Sequence, residues 1–215
     1  MSSNFESSPE VDLGASSWGR SIAALLGNPA LAGCSSLGLC PAGRNAHAAA
    51  SAAQLAEWMV EQSEGIVLLV EADLWRPALA ALVGAPPGPG LADAILDPTI
   101  SPEQVIHPTH MPRLNLVPAG RPVDGKMRKV LAASFGMHFR RLCARFSSVI
   151  VTLPSAADPD CSLFPFSLPS AVLLVIQPQC TSVKEIQWAS RRLRDAGAEL
   201  IGTMVDETTG VLVEA

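Results

Sequence analysis

Tyrosine is absent from this 215-residue chain, and aromatic residues make up only 5% of it. Charged residues are also sparse at 16%, and the formal charge of −5 makes nucleic acid a poor partner. The five cysteines (34, 40, 143, 161 and 180) form no Cys-x-x-Cys pair and lack the His spacing of a zinc site. They read as reduced, mostly buried thiols of a cytosolic protein. The apolar run Ala171–Ile176 falls far short of the ~20 residues that span a bilayer. The polar N-terminus, MSSNFESSPEVDLGASS, has no apolar signal core. No lysine occurs before Lys126.

What is present is apolar and periodic. Residues 1–17 read as a disordered leader, and 18–215 as a single domain. Trp18–Leu26 reads as a short amphipathic helix closed by Gly27-Asn28-Pro29. Ser36–Cys40, Ile66–Val70, Leu114–Pro118, Val149–Val151, Ala171–Ile176 and Leu200–Val205 read as strands. Several are uninterrupted aliphatic runs, as in strands buried on both faces. Helices are expected over His47–Gln62, Arg76–Val83, Leu91–Leu96, Lys126–Arg145 and Ser182–Ala196. The Lys126–Arg145 helix is basic and amphipathic. The alternation predicts a doubly wound α/β domain, with a mainly parallel sheet and helices on both faces. Ligands of such sheets lie at the carboxyl ends of strands, here after Cys40, Val70, Val151 and Val205.

Those loops carry an ordered set of motifs. Val67-Leu-Leu-Val-Glu71-Ala-Asp73-Leu-Trp75-Arg76-Pro77 is an aliphatic strand running into an acidic turn. It is followed by Gly90-Leu-Ala-Asp93, Asn115-Leu-Val-Pro-Ala-Gly120, Phe146-Ser-Ser-Val-Ile-Val-Thr152-Leu-Pro154 and Ile201-Gly-Thr-Met-Val-Asp206. The succession resembles the bacterial tyrosine kinases (BY-kinases), within the wider group of deviant P-loop ATPases that includes the partitioning and division-site ATPases. The resemblance covers residues 18–207 and implies a P-loop-NTPase-like, three-layer α/β/α fold.

The same resemblance shows what has been replaced. The family's phosphate loop ends in Gly-Lys-Ser/Thr, whose backbone amides and Lys cradle phosphates while the hydroxyl holds Mg²⁺. Aligned through Ala52-Ala-Gln-Leu-Ala56, those positions fall on His47, Ala48 and Ala49. Arg44 and Asn45 stand in the loop before them. Asp73 is kept, Glu71 replaces a second Asp, and Trp75 replaces an Arg. Thr152 stands where the metal-supporting Asp belongs, and Asp206 where the base-binding Asn belongs. The resemblance also implies a Tyr-rich tail and a Glu-x-x-Arg-x-x-Arg oligomerisation pattern, of which only Arg20 remains. Arg44, Asn45, His47, Ala48, Ala49, Glu71, Asp73, Arg76, Thr152 and Asp206 thus outline a vestigial nucleotide cleft. No catalytic residue, cofactor or metal is expected.

The reading is a pseudoenzyme, acting as a regulatory partner in exopolysaccharide or capsule synthesis and export. Its partner would be the membrane protein that controls polysaccharide chain length, or an active homologue, with a homo-oligomer as a further option. It would lie in the cytoplasm, held at the inner membrane through that partner. Trp75 and Arg76 are the candidate partner-binding residues, Trp75 being weighed against plain packing. The alternatives are an ATP-binding autokinase or ATPase with a relocated phosphate site on Arg44, Asp73 and Glu71, and a binder of another small ligand in the cleft. Trp58 is expected in helix core, Trp188 buried against the sheet, and Arg191-Arg192-Leu193-Arg194 on a solvated face. Asp158 and Asp160 read as turn residues, and His107 and His110 as loop residues with no third metal ligand.

Overall fold

The computed structural model describes residues 35–146, 148–158, 161 and 166–206. The expected leader, the 18–26 helix, Arg20, Asp160 and the segment after Asp206 lie outside them.

The strands are β1 (Ser36–Pro41), β2 (Val67–Glu71), β3 (His107–Pro108), β4 (Leu114–Val117), β5 (Ser148–Thr152), β6 (Ala171–Ile176) and β7 (Leu200–Val205). They form one seven-stranded sheet in the order β3-β4-β2-β5-β1-β6-β7. Every pairing is parallel except β3 with β4. β1 and β2 are buried along their whole length, as strands covered on both faces must be.

The helices are α1 (Ala49–Gln62), α2 (Leu79–Leu82), α3 (Leu91–Leu96), α4 (Gly125–Cys143) and α5 (Val183–Asp195), with a 3₁₀ turn at Pro102–Val105. Phe135, Phe139 and Leu142 of α4 and Ala189 and Leu193 of α5 share one core with Leu68 and Val70 of β2 and Val149 and Val151 of β5. The alternate residues Leu69 and Ile150 are buried as well, on the opposite face of the sheet.

Several expectations are corrected. The helix expected from Arg76 begins at Leu79, because the Asp73 carboxylate accepts the Trp75 and Arg76 N–H groups and holds those residues in a turn. The helix expected from His47 begins at Ala49. His107 lies in the short antiparallel strand β3 rather than a loop; two residues carry no readable period. Trp188 is 45% exposed, with the Arg192 guanidinium 4.8 Å from its ring centre. Arg192 itself leaves the solvated face and donates to the Ala156 and Asp158 carbonyls, both at 3.1 Å. Trp58 is half-buried. Among the described residues no helix is long and apolar enough to cross a membrane.

Candidate functional site

Segments after β1, β2, β5 and β6 lie at the carboxyl edge of the sheet, together with Asp206 at the end of β7. The β1 loop is short, and four of its amides are engaged. Ala42 N–H donates to Val175 O at 2.8 Å, and Ala46 N–H closes a turn on Gly43 O at 3.2 Å. Arg44 N–H donates to Glu185 Oε1 at 3.2 Å, and His47 N–H to Gln177 Oε1 at 3.0 Å. Two amides of the would-be phosphate loop therefore end on side chains of residues 177–185. The topology makes this contact, since β6 is hydrogen-bonded to β1. The Arg44 side chain turns to the β5 loop, its Nε donating to Ala157 O at 3.2 Å. Ala48 occupies the N-cap of α1 with no side-chain cap, and Ala49 opens the helix; both are buried. His47 is exposed at its surface. Partial desolvation of its ring against the loop, with the Arg76 cation adding to the effect, nonetheless lowers its pKa from the ordinary imidazole value.

The second motif divides into two roles. Glu71 Oε1 accepts from Ala78 N–H and from Leu79 N–H (2.7 Å), while Oε2 accepts from Ala119 N–H at 3.3 Å. Its carboxylate thus caps α2 and ties it to the turn after β4. Asp73 Oδ1 accepts from the Trp75 and Arg76 amides at 3.2 and 3.3 Å, and Oδ2 lies 3.8 Å from Arg76 Nε. Burial pushes both carboxyls up, against the hydrogen bonds and, for Asp73, against the Arg76 charge. Arg76 also donates through Nη1 to the Arg44 carbonyl. Trp75 is half-buried and packs on the core.

Thr152 is 3% exposed and pairs with Glu71 across the β2–β5 ladder. Its hydroxyl points to Val70 O at 3.5 Å. Asp206 is equally buried; its Oδ2 accepts from Ser51 Oγ at 2.7 Å and from Gln177 Nε2 at 3.4 Å. Arg44, His47, Asp73 and Arg76 are thus brought together, and Asp206 forms a second corner with Ser51 and Gln177. Asn45 is exposed, and its carbonyl accepts from Cys180 Sγ at 3.7 Å. Beneath the loop lie Cys40 and Cys161, whose thiols burial pushes up to about 12. Asp158 lies in a turn, its N–H donating to Ser155 O and its carbonyl accepting from Cys161 N–H.

Ser51, Gln177 and Glu185 are the residues that sequence reasoning missed. Ser182-x-x-Glu185 is legible as a capping box, and Ser182 and Glu185 do bond reciprocally. The reach of Glu185 to Arg44 is not legible, because it depends on β6 lying beside β1. The histidines after the 3₁₀ turn are tied to backbone: His107 Nε2 to Pro89 O and His110 Nδ1 to Val83 O, both at 2.7 Å. Among the described residues no group of three His, Cys, Asp or Glu is placed to hold a metal ion.

No protein-family model matches the chain, and no curated protein sequence does. Solved structures do. The kinase domain of the Escherichia coli tyrosine kinase ETK superposes with a TM-score of 0.75 at 20% identity, covering 95% of this chain and 82% of that one. The BceF tyrosine kinase domain gives 0.68 at 21% identity, over 81% and 69%. The cell division ATPase MinD of Pyrococcus furiosus gives 0.66 at 18%, over 81% and 72%. The chain therefore has the three-layer α/β/α fold that these bacterial tyrosine-kinase domains share with P-loop ATPases of the MinD kind.

Proposed function

We propose that this chain is a catalytically inactive BY-kinase-like domain that serves as a binding or regulatory partner in bacterial exopolysaccharide or capsule synthesis and export. The observation that carries the reading is the engagement of the β1 loop from within. Glu185 and Gln177 hold the Arg44 and His47 amides, and Ala48 and Ala49 stand at the Lys and Ser/Thr positions. The fit to a magnesium nucleotide is poor at three places. A carboxylate faces the loop where phosphate would need to be, Thr152 is turned to a backbone carbonyl, and Asp206 offers an acceptor where a donor is needed. Hydrogen bonds to charged groups contribute roughly 1.5–3 kcal/mol each. Losing Lys, hydroxyl and Asp together costs about 4.5–9 kcal/mol, or some 10³–10⁶ in affinity. Phosphoryl transfer rests on positioning and charge neutralisation, so chemistry suffers more than binding.

A relocated phosphate site on Arg44, Asp73 and Glu71 is disfavoured. Glu71 is consumed by three amides, and the Arg44 side chain is bound to Ala157 O. The kinase-domain neighbours support a partner of the same system: a membrane polysaccharide chain-length regulator, an active homologue or a second copy of this chain. Such a partner would hold the domain at the cytoplasmic face of the inner membrane. Trp75 and Arg76, at the rim of the cleft, are the residues assigned to that contact. Titration of the full chain with ATP and Mg²⁺ in a calorimeter tests the reading. No saturation is expected below millimolar ATP, and saturation at micromolar ATP would sink it.

A further inference from the structure

We propose that the outward face of α4 seats directly on an anionic lipid bilayer. This inference does not rest on the state of the nucleotide cleft. α4 contains Lys126, Arg128, Lys129, Arg140 and Arg141 and no Asp or Glu. With 15 Lys and Arg and 20 Asp and Glu in the chain, ten cations and twenty acids remain elsewhere, a balance of −10 against +5 on this helix. The charge separation would orient the molecule, α4 first, toward a negative surface.

The pattern within the helix is specific. Leu131, Phe135, Phe139 and Leu142 form its buried seam. At 100° per residue, positions 126, 129, 130, 133, 137, 140 and 141 fall on the opposite side. Val130 and Met137 are there 52% and 48% exposed, and Ala133, Arg140 and Arg141 are exposed with them. The exposed Val130 and Met137 are thus followed on this side by the exposed Arg140 and Arg141, and the helix positions from 126 to 141 span roughly 22 Å at 1.5 Å per residue. Cations at headgroup level flanking apolar groups that enter the acyl boundary are the design of an interfacial helix. An acidic protein would be met by the same cations, and the polyglutamate arm of the test below separates it from a bilayer.

The acids near α4 are engaged. Asp124 Oδ1 accepts the Met127 N–H at 2.8 Å, and Glu103 pairs with Arg145 beyond the helix end. α5 provides the contrast, since its exposed positions mix Lys184, Arg191 and Arg194 with Asp195, and the half-buried Glu185 adds a second acid.

Flotation of the full chain with phosphatidylcholine vesicles, with and without about 40 mol% phosphatidylglycerol, at about 50 and 500 mM salt, tests the proposal across the screening range. Binding is expected only to the anionic vesicles and only at low salt. R140Q/R141Q should weaken it roughly 30-fold, at about fivefold per cation, and V130S/M137S roughly tenfold. R191Q/R194Q on α5 should leave it within about twofold of wild type, because that face is not in contact. Equal binding to neutral vesicles, no binding to anionic ones, or an equal loss in R191Q/R194Q would overturn the proposal. Retention on immobilised polyglutamate without retention on anionic vesicles would also overturn it, assigning the face to an acidic protein.

Discussion

Asp73 and Glu71 are both carboxylates of one motif, and both are turned to local backbone. Each is buried, and each accepts hydrogen bonds from backbone amides of its own neighbourhood. Burial raises the pKa of both above the usual carboxylate range. A carboxyl whose pKa rises on folding holds its proton more tightly in the folded chain. Its stabilising contribution is full below the unfolded value near ~4 and is lost as pH climbs through the folded value. Asn at position 73 keeps an acceptor for the Trp75 and Arg76 amides, removes the buried charge, and gives up only a long contact to Arg76. D73N should therefore match wild type near pH 4 and gain on it as pH rises to 7. Urea denaturation at the two pH values measures this; a D73N deficit that grows with pH would show that the Arg76 pair outweighs desolvation.

At the level of elements, the Gly90-Leu-Ala-Asp93 and Asn115–Gly120 motifs hold elements together. Gly90 N–H donates to Asp93 Oδ2 at 2.8 Å, and the Leu91 and Ala92 amides donate to Pro118 and Ala119 carbonyls. Arg121 Nε meets Asp93 Oδ1 at 2.7 Å. The Gly-Leu-Ala-Asp stretch and the Ala119-Gly120 turn thus dock α3 on the end of β4. A Cβ on Gly90 would come within 2.3 Å of Gly120 N and 2.4 Å of Pro118 O, both rigid backbone. G90A should cost about 3 kcal/mol or more in urea denaturation, with the sheet retained by circular dichroism. These pieces were legible as an ordered series because docking constrains sequence at fixed spacings. The same logic explains why Glu71 could be found but its role could not. The motif marks a carboxylate at the end of β2, and only the fold shows that its acceptors face Ala78, Leu79 and Ala119. Trp188 failed in the opposite way. α5 alternates apolar and charged residues well enough to be called a helix, but a Trp whose face is covered by Arg192 stays at the surface.

For the whole molecule, the α/β alternation carried the fold, while the strand order decided the site. Neither Glu185 nor Gln177 is near residues 44–47 in sequence; they arrive because β6 pairs with β1 and delivers its loop and α5 beside the β1 turn. If the proposed inactivity is right, it is a property of three loops, and placing Lys and Ser at positions 48 and 49 alone should not reverse it. In A48K/A49S the new Lys and Ser enter positions that are 4% and 9% exposed, in a loop whose Arg44 and His47 amides remain engaged. Glu185 would also set its carboxylate against an incoming phosphate. Calorimetry with ATP and Mg²⁺ should therefore show A48K/A49S binding no better than millimolar. A48K/A49S/E185A, with the Arg44 amide released and the negative charge gone, should bind at least tenfold more tightly, a difference of about 1.4 kcal/mol. Micromolar binding by A48K/A49S itself would mean that Glu185 yields to phosphate at little cost, and that the loop is a phosphate cradle lacking only its lysine.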